Sequence, residues 1–277
     1  MQFKDSQLLA EKIRLHVLEM THKGNSSHVG SCLSIADILS VLYCKIMVFD
    51  KNYPESKIRD RFILSKGHAG AALYSCLAEQ GFFNIEELKI HYQNGSKFSG
   101  HVSHYYIPGV EFSTGSLGHG LSIGVGMALA AKKRKQTHNV FVLISDGELD
   151  EGSNWEAILF AAHHKLDNLT VLLDYNNLQS IDSVKNTLNI EPLEEKIKAF
   201  NWNYYKSNGH DHEDLYNSFL HKPLKDKPSF IACHTTKGFG ISFMENSVLW
   251  HYRSPQKEEY SKAKNELKIR LHKIKNA

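Results

Sequence analysis

The sequence predicts an α/β fold with a doubly wound parallel sheet, helices on both faces, flanking helices and a helical C-terminal tail. The runs Arg61 to Leu64, Val140 to Ile144 and Leu169 to Asp174 are short and apolar. They are continuous, not alternating, which is the pattern of strands covered on both faces. Helical patterns stand between them, and the order strand, helix, strand is the unit from which parallel sheets are built.

Apolar positions at helical spacing run through Leu8 to Met20 and Leu33 to Val48, so the chain opens with helices. Arg61-Phe62-Ile63-Leu64 ends at Ser65-Lys66-Gly67-His68, and a small-residue helix, Ala69 to Gln80, stops at Gly81. A βαβ unit follows: Val140 to Ile144, the turn Ser145-Asp146-Gly147, a helix over about Glu151 to His164, and Leu169 to Asp174. Glu191-Pro192 opens a further helix, and Asp211 caps another after the turn at Asn208-Gly209-His210. Ser229 to Cys233 reads as a late strand. From Pro255 onward a basic amphipathic helix presents Lys262, Lys264, Lys268, Arg270, Lys273 and Lys275 as a solvated face. No linker rich in Pro, Gly or Ser divides the chain, so one domain over 1–277 with a helical extension from about 255 is expected.

At 277 residues and 42% hydrophobic, the chain can bury a sizeable core. Its 33 basic and 30 acidic residues leave a net charge of +3, too near balance for the broad positive field of a nucleic-acid or anionic-membrane binder. The longest apolar stretch, Leu121 to Ala131, is broken by glycine, so no membrane span is expected. The opening Met1-Gln2-Phe3-Lys4-Asp5 shows no secretory pattern. Cys32, Cys44, Cys76 and Cys233 form no CxxC pair and read as reduced core thiols of a cytoplasmic protein.

Asp146 follows an apolar strand directly, and in open α/β sheets ligands bind beyond the carboxyl ends of the strands. The next strand runs into Asp174-Tyr175-Asn176-Asn177, which brings Asn176 to the same edge. A carboxylate, an amide oxygen and a backbone carbonyl just beyond make an incomplete shell for a hard ion such as Mg²⁺, leaving positions for phosphate oxygens and water. Taken alone, Asp146-Gly147 with Glu148, Asp150 and Glu151 is a turn and a helix start. Turns alone do not require Asn176-Asn177 at the equivalent end of the following strand.

The stretch from Asp146-Gly147-Glu148-Leu149-Asp150-Glu151-Gly152 to Asn176-Asn177 resembles the thiamine-diphosphate motif, most closely in its transketolase form. Asn25 to Leu33, Arg61 to Ala72, Gly100-His101, Thr114 to Ala131 and Thr236 to His251 are similar to the same family in order and spacing. The resemblance covers nearly the whole chain. It implies that Asp146, Asn176 and the Leu178 carbonyl hold Mg²⁺, with Ca²⁺ or Mn²⁺ as substitutes, and that His68, Gly115, Ser116, Leu117, Asp146, Gly147, Asn176 and His251 contact thiamine diphosphate. The glycines at 115, 118, 120, 124 and 126 equally suit tight turning and close helix packing, and they do not spell a dinucleotide fingerprint.

Of 17 histidines, His28, His68, His101 and His251 fall within these stretches. The resemblance gives His28, His101 and His251 catalytic parts, guiding protons and oxyanions, which imidazole does near neutral pH. His163, His164, His210 and His212 read as ordinary surface or core residues. Ser145, His119 and Tyr252 stand where the family more often has Gly, Gln and Gly, and Tyr252 adds bulk at the expected substrate entrance. The family's glutamate that activates the aminopyrimidine belongs to a second domain. A C-terminal transketolase-type subunit is therefore expected as partner, in an α2β2 assembly acting on sugar phosphates. Rival readings are a 1-deoxyxylulose-5-phosphate synthase-like enzyme, a 2-oxoacid decarboxylase or dehydrogenase subunit, and a non-catalytic pseudoenzyme.

Overall fold

The structure, a computed structural model, describes residues 2–220 and 225–276. Five parallel strands, β1 (Arg61–Leu64), β2 (Val140–Ser145), β3 (Leu169–Tyr175), β4 (Asn203–Asn208) and β5 (Ser229–His234), lie in the order β1-β2-β3-β5-β4. Ten α-helices among the described residues accompany them: α1 (Lys4–Gly24), α2 (Val29–Ser34), α3 (Ala36–Val41), α4 (Gly70–Glu79), α5 (Gly120–Lys133), α6 (Gly152–His163), α7 (Val184–Thr187), α8 (Leu193–Ala199), α9 (His212–Leu220) and α10 (Lys257–Asn276).

Alternation along the strands sorts the apolar side chains into two cores. Phe62, Leu64, Phe141, Leu143, Leu172 and Ile231 pack on one face, beneath α1 to α4, α9 and α10. Ile63, Val142, Ile144, Val171, Leu173 and Phe230 pack on the other, against α5, α6 and α8. Each such side chain, fully removed from water, contributes about 1.5–3 kcal/mol, so neither layer can be peeled away cheaply. The doubly wound sheet follows because both faces of these strands are apolar. All four cysteines are unpaired, with Cys44 half-buried and the others buried.

The strand expectations at Arg61, Val140, Leu169 and Ser229 coincide with β1, β2, β3 and β5, while β4 carries no apolar run and went unread. The helix expected over Leu33 to Val48 is α2, α3 and a π-helical turn, Leu42–Ile46, with a break at Ile35. Ser34 stands at this break, its hydroxyl within reach of the Ser31 carbonyl at 3.1 Å and of Asp174 Oδ2 at 2.8 Å. The glycine-broken stretch after Thr114 becomes α5. A Cβ at Gly124 would stand 2.4 Å from Val142 Cγ2, so glycine is what lets this helix lie directly on β2. The predicted solvated face of α10 is only partly so, because Arg270 turns inward to Glu11 at 2.9 Å.

Candidate active site

The loops leaving β1, β2, β3 and β5 meet at one sheet edge and enclose a cleft of about 300 Å³. It is lined by His28, His68, His101, His251, Gly115, Leu117, Asp146, Gly147, Asn176 and Leu178, together with Ser31, Lys66, Ser145, Gln179, Ser180, Lys237 and Tyr252. Of the residues expected to be catalytic, to contact the cofactor or to hold the metal, only Ser116 is absent from this lining; it is exposed.

The β1 loop is held by tight fit. A Cβ at Gly67 would lie 2.3 Å from the Thr114 carbonyl oxygen, so no larger residue fits there without moving backbone. The Val102 N–H donates to the Gly67 carbonyl at 3.0 Å and Thr114 Oγ1 to the Leu64 carbonyl at 2.6 Å, which brings His68, His101 and Gly115 together. Glu148, read from sequence as a helix-start acid, is buried and accepts the Gly118 N–H at 2.9 Å and the Ser65 hydroxyl. It ties the β1 and β2 loops to the glycine-rich segment.

Asp146 is buried at the tip of β2. One oxygen accepts the Gly147 N–H at 2.8 Å, the other the N–H groups of Asn176 at 3.1 Å and Asn177 at 2.6 Å. Asn176 Oδ1 accepts the Leu178 N–H at 3.1 Å, so hydrogen bonds join the β2 and β3 loops into one set that carries all three predicted oxygen donors. Burial, and then the neighbouring Asp174, pushes Asp146 up to about 7. An anion so disfavoured is short of positive charge, which a divalent cation would supply. No cluster of His, Cys, Asp or Glu among the described residues forms a metal cage by itself, and the donors here are one carboxylate, one amide and one carbonyl. That set suits an oxygen-loving ion completing its shell with phosphate oxygens.

Two buried lysines were missed. Lys66 Nζ donates to the Asp174 carboxylate and to the Ser31 carbonyl at 3.2 Å. Burial alone would raise Asp174, but the Lys66 ammonium, with the hydroxyls of Thr235 and Ser34, holds it below the usual carboxylate range. Lys237 Nζ donates to the carbonyls of Leu178 at 3.2 Å and Gln179 at 2.8 Å and meets His251 Nδ1 at 3.1 Å. Burial, then Lys66, lowers it to about 8. Both lie at strand ends, in the segments Ser65 to His68 and Thr236 to His251, but a lysine beside an apolar run looks like an exposed loop residue until its partner is known.

The four predicted histidines face one another. His28 lies with ring centroids 5.2 Å from His68, 5.4 Å from His101 and 5.0 Å from His251. His28 is held at φ +74°, unusual outside glycine, with its N–H donated to the His251 carbonyl at 2.9 Å. Burial first, then neighbouring positive groups, lowers His28 to about 4 and His251 to about 3, and holds His68 well below its ordinary value. These imidazoles are neutral at pH 7 and available as proton acceptors. His163 and His164 lie on α6 and its C-cap, outside the cleft, while His210 and His212 join a separate buried network.

A parallel α/β sheet whose strand-end cleft couples a Mg²⁺-type oxygen set with lysines and neutral histidines defines a class of protein that binds a phosphorylated cofactor. Residues 5–274 match the family described as transketolase, thiamine diphosphate binding domain, and the chain belongs to that family. One subunit of the apulose-4-phosphate transketolase of Phocaeicola vulgatus is 38% identical over 275 residues, covering 99% of this chain and 98% of that protein. The 6-deoxy-6-sulfo-D-fructose transketolase subunit SqwG of Clostridium sp. is 39% identical over 265 residues, covering 95% and 96%. The transketolase of Campylobacter jejuni superposes with a TM-score of 0.89 at 32% identity, over 99% of this chain and 46% of that one. The chain thus spans about half the length of the solved transketolases it matches.

Proposed function

We propose that this chain is the N-terminal, cofactor-diphosphate-binding subunit of a two-chain transketolase that moves a two-carbon ketol unit from a ketose phosphate to an aldose acceptor. The observation that carries the reading is the convergence of four neutral histidines and the linked loops of Asp146, Asn176 and Leu178 on one cleft. Asp146, Asn176 and the Leu178 carbonyl hold Mg²⁺, and His68, Gly115, Leu117, Gly147 and His251 form the cofactor's bed, with Ser116 at its exposed margin.

Thiamine diphosphate, when bound, supplies the electron sink that lets a carbon–carbon bond beside a carbonyl break and re-form. The chain's own residues orient and move protons. Because Lys237 donates to His251 Nδ1, the proton of that ring sits on Nε2. His28 and His101, both with lowered pKa values, are bases toward sugar hydroxyls and donors toward developing oxyanions. The glutamate acting on the aminopyrimidine is assigned to the partner chain. The names of the relatives, as subunits, support a second chain, and an α2β2 assembly in the cytoplasm completes the proposal.

Asp146→Ala is expected to abolish Mg²⁺-dependent thiamine-diphosphate binding by the assembly purified from its own cells, followed by calorimetry. Undiminished binding overturns the site assignment. Identification by mass of a co-purifying chain, with ketol transfer by the pair and by neither part alone, tests the two-chain reading.

A further inference from the structure

Beneath the cleft, on the face covered by α1 and α3, lies a set of buried charged groups that the chemistry above does not use. Arg14, 0% exposed, donates to Glu11 at 3.0 Å and to the Asp37 carboxylate. Asp37, 3% exposed, also meets His210 Nδ1 at 2.7 Å and His212 Nε2 at 3.1 Å. The second nitrogen of His210, Nε2, receives the backbone N–H of Thr236 at 2.8 Å. A nitrogen that accepts an N–H carries no proton, so the proton of His210 sits on Nδ1 and is donated to Asp37. The ring is stacked on Phe239 at 3.6 Å and 10°, and the guanidinium carbons of Arg14 and Arg270 stand 4.9 and 4.8 Å from that same ring.

Residues 236 and 239 are therefore gripped from below, and Lys237 lies between the grips. Its ammonium donates to the carbonyls of Leu178 and Gln179 and to His251. A continuous series of contacts runs from Arg14 through Asp37 and His210 into the Thr236 peptide, and one residue later into the cleft. We infer that His210, locked in one tautomer by Asp37 and Arg14, is a positioning residue that fixes the Thr236–Lys237 backbone and so aims the Lys237 ammonium into the active site. A core-filling ring would need only its shape. The acceptor nitrogen facing a backbone N–H two bonds from the lysine's own peptide is what singles His210 out.

The inference deepens the reading of the cleft as a cofactor site, but its first readout stands without that reading. His210→Phe keeps the stack on Phe239 and removes both hydrogen bonds, whereas His210→Gln retains a side chain able to accept from Thr236. In the chain without ligands, amide exchange over residues 235–240 should quicken roughly tenfold in His210→Phe, the scale of one lost buried hydrogen bond, and return toward the parent rate in His210→Gln. In the assembled enzyme with Mg²⁺, His210→Phe should weaken thiamine-diphosphate binding by roughly tenfold, and adding it to Lys237→Met should cause no further loss. Should His210→Phe not fold, the same cycle is run with His210→Gln and Asp37→Asn, the expectation being additional exchange confined to 235–240 in the latter. Exchange that is unchanged, or raised equally throughout the chain, overturns the inference. So does a cofactor defect that adds fully to that of Lys237→Met. Failure of Asp146→Ala to affect binding would sink the site assignment while leaving the exchange result to stand.

Discussion

Replacing Lys66 by Met strands a buried carboxylate. Lys66 is 1% and Asp174 0% exposed, and the pair is joined directly through Nζ and Oδ2. Breaking a buried pair from one side costs about 3–5 kcal/mol, because the remaining charge has lost both water and partner. Asp174 would keep three donors, Ser34 at 2.8 Å, Asn176 at 3.0 Å and Thr235, which places Lys66→Met near the lower end, about 3 kcal/mol. Adding Asp174→Asn removes the stranded charge, so the double variant should regain about 2 kcal/mol of that loss. With a urea slope of about 3 kcal/mol per M, the single variant should lower the unfolding midpoint by about 1 M and the double by about 0.3 M. Urea titrations of the ligand-free chain near neutral pH read both. If Lys66→Met moves the midpoint by less than the double variant is expected to, or if the second substitution adds to the loss, Asp174 does not depend on Lys66 and the charge argument fails.

Gly67→Ala drives a methyl into the Thr114 carbonyl and should cost about 1–3 kcal/mol, while weakening cofactor binding at least tenfold through the displaced His68 and His101; titration calorimetry showing normal affinity would mean the loop yields without consequence. His91 is 2% exposed, with burial lowering it to about 4 against an ordinary value of 6.5. The unfolded chain then binds the extra proton between those values, so stability is intact above about pH 6.5 and falls by roughly 3 kcal/mol as the pH drops through 4. The window is shared by His28, His68 and His251, whose shifts have the same sign, so His91→Gln should flatten the unfolding profile only in part, and an unaltered profile refutes the assignment.

Strands β1, β2, β3 and β5 were legible because each is apolar on both faces, as strands covered on both sides are, β1 included although it lies at an edge of the sheet. Strand β4 is the opposite edge strand, Asn203–Asn208, in which Asn203 and Ser207 are buried but no apolar run exists, so its pairing with β5 could only come from the assembled sheet. Asp146, Asn176 and the four histidines could be named in advance because short motifs at strand ends and a family resemblance both point to them. Lys66 and Lys237 could not. Their meaning depends on Asp174, 108 residues from Lys66, and on the carbonyls of Leu178 and Gln179, 59 and 58 residues from Lys237. Local pattern is silent at such separations. His210 and His212, read as ordinary surface or core residues, do lie outside the cleft, but local pattern could not supply their shared partner Asp37, 173 and 175 residues away.

Asp146, Asp174 and Glu148 on one side and Lys66 and Lys237 on the other are all buried about the same cleft, so with the three carboxylates ionised their formal charges leave a surplus of one negative charge. A poorly solvated space so near neutrality resists any lone ion of higher charge. Under the proposed ligation, a divalent cation entering by itself overshoots that surplus, and a diphosphate by itself adds to it. Arriving together they nearly cancel. Each must therefore tighten the other's hold by the same factor, and the concentration of free magnesium around the protein becomes a dial that sets how much of the vitamin-derived cofactor stays bound.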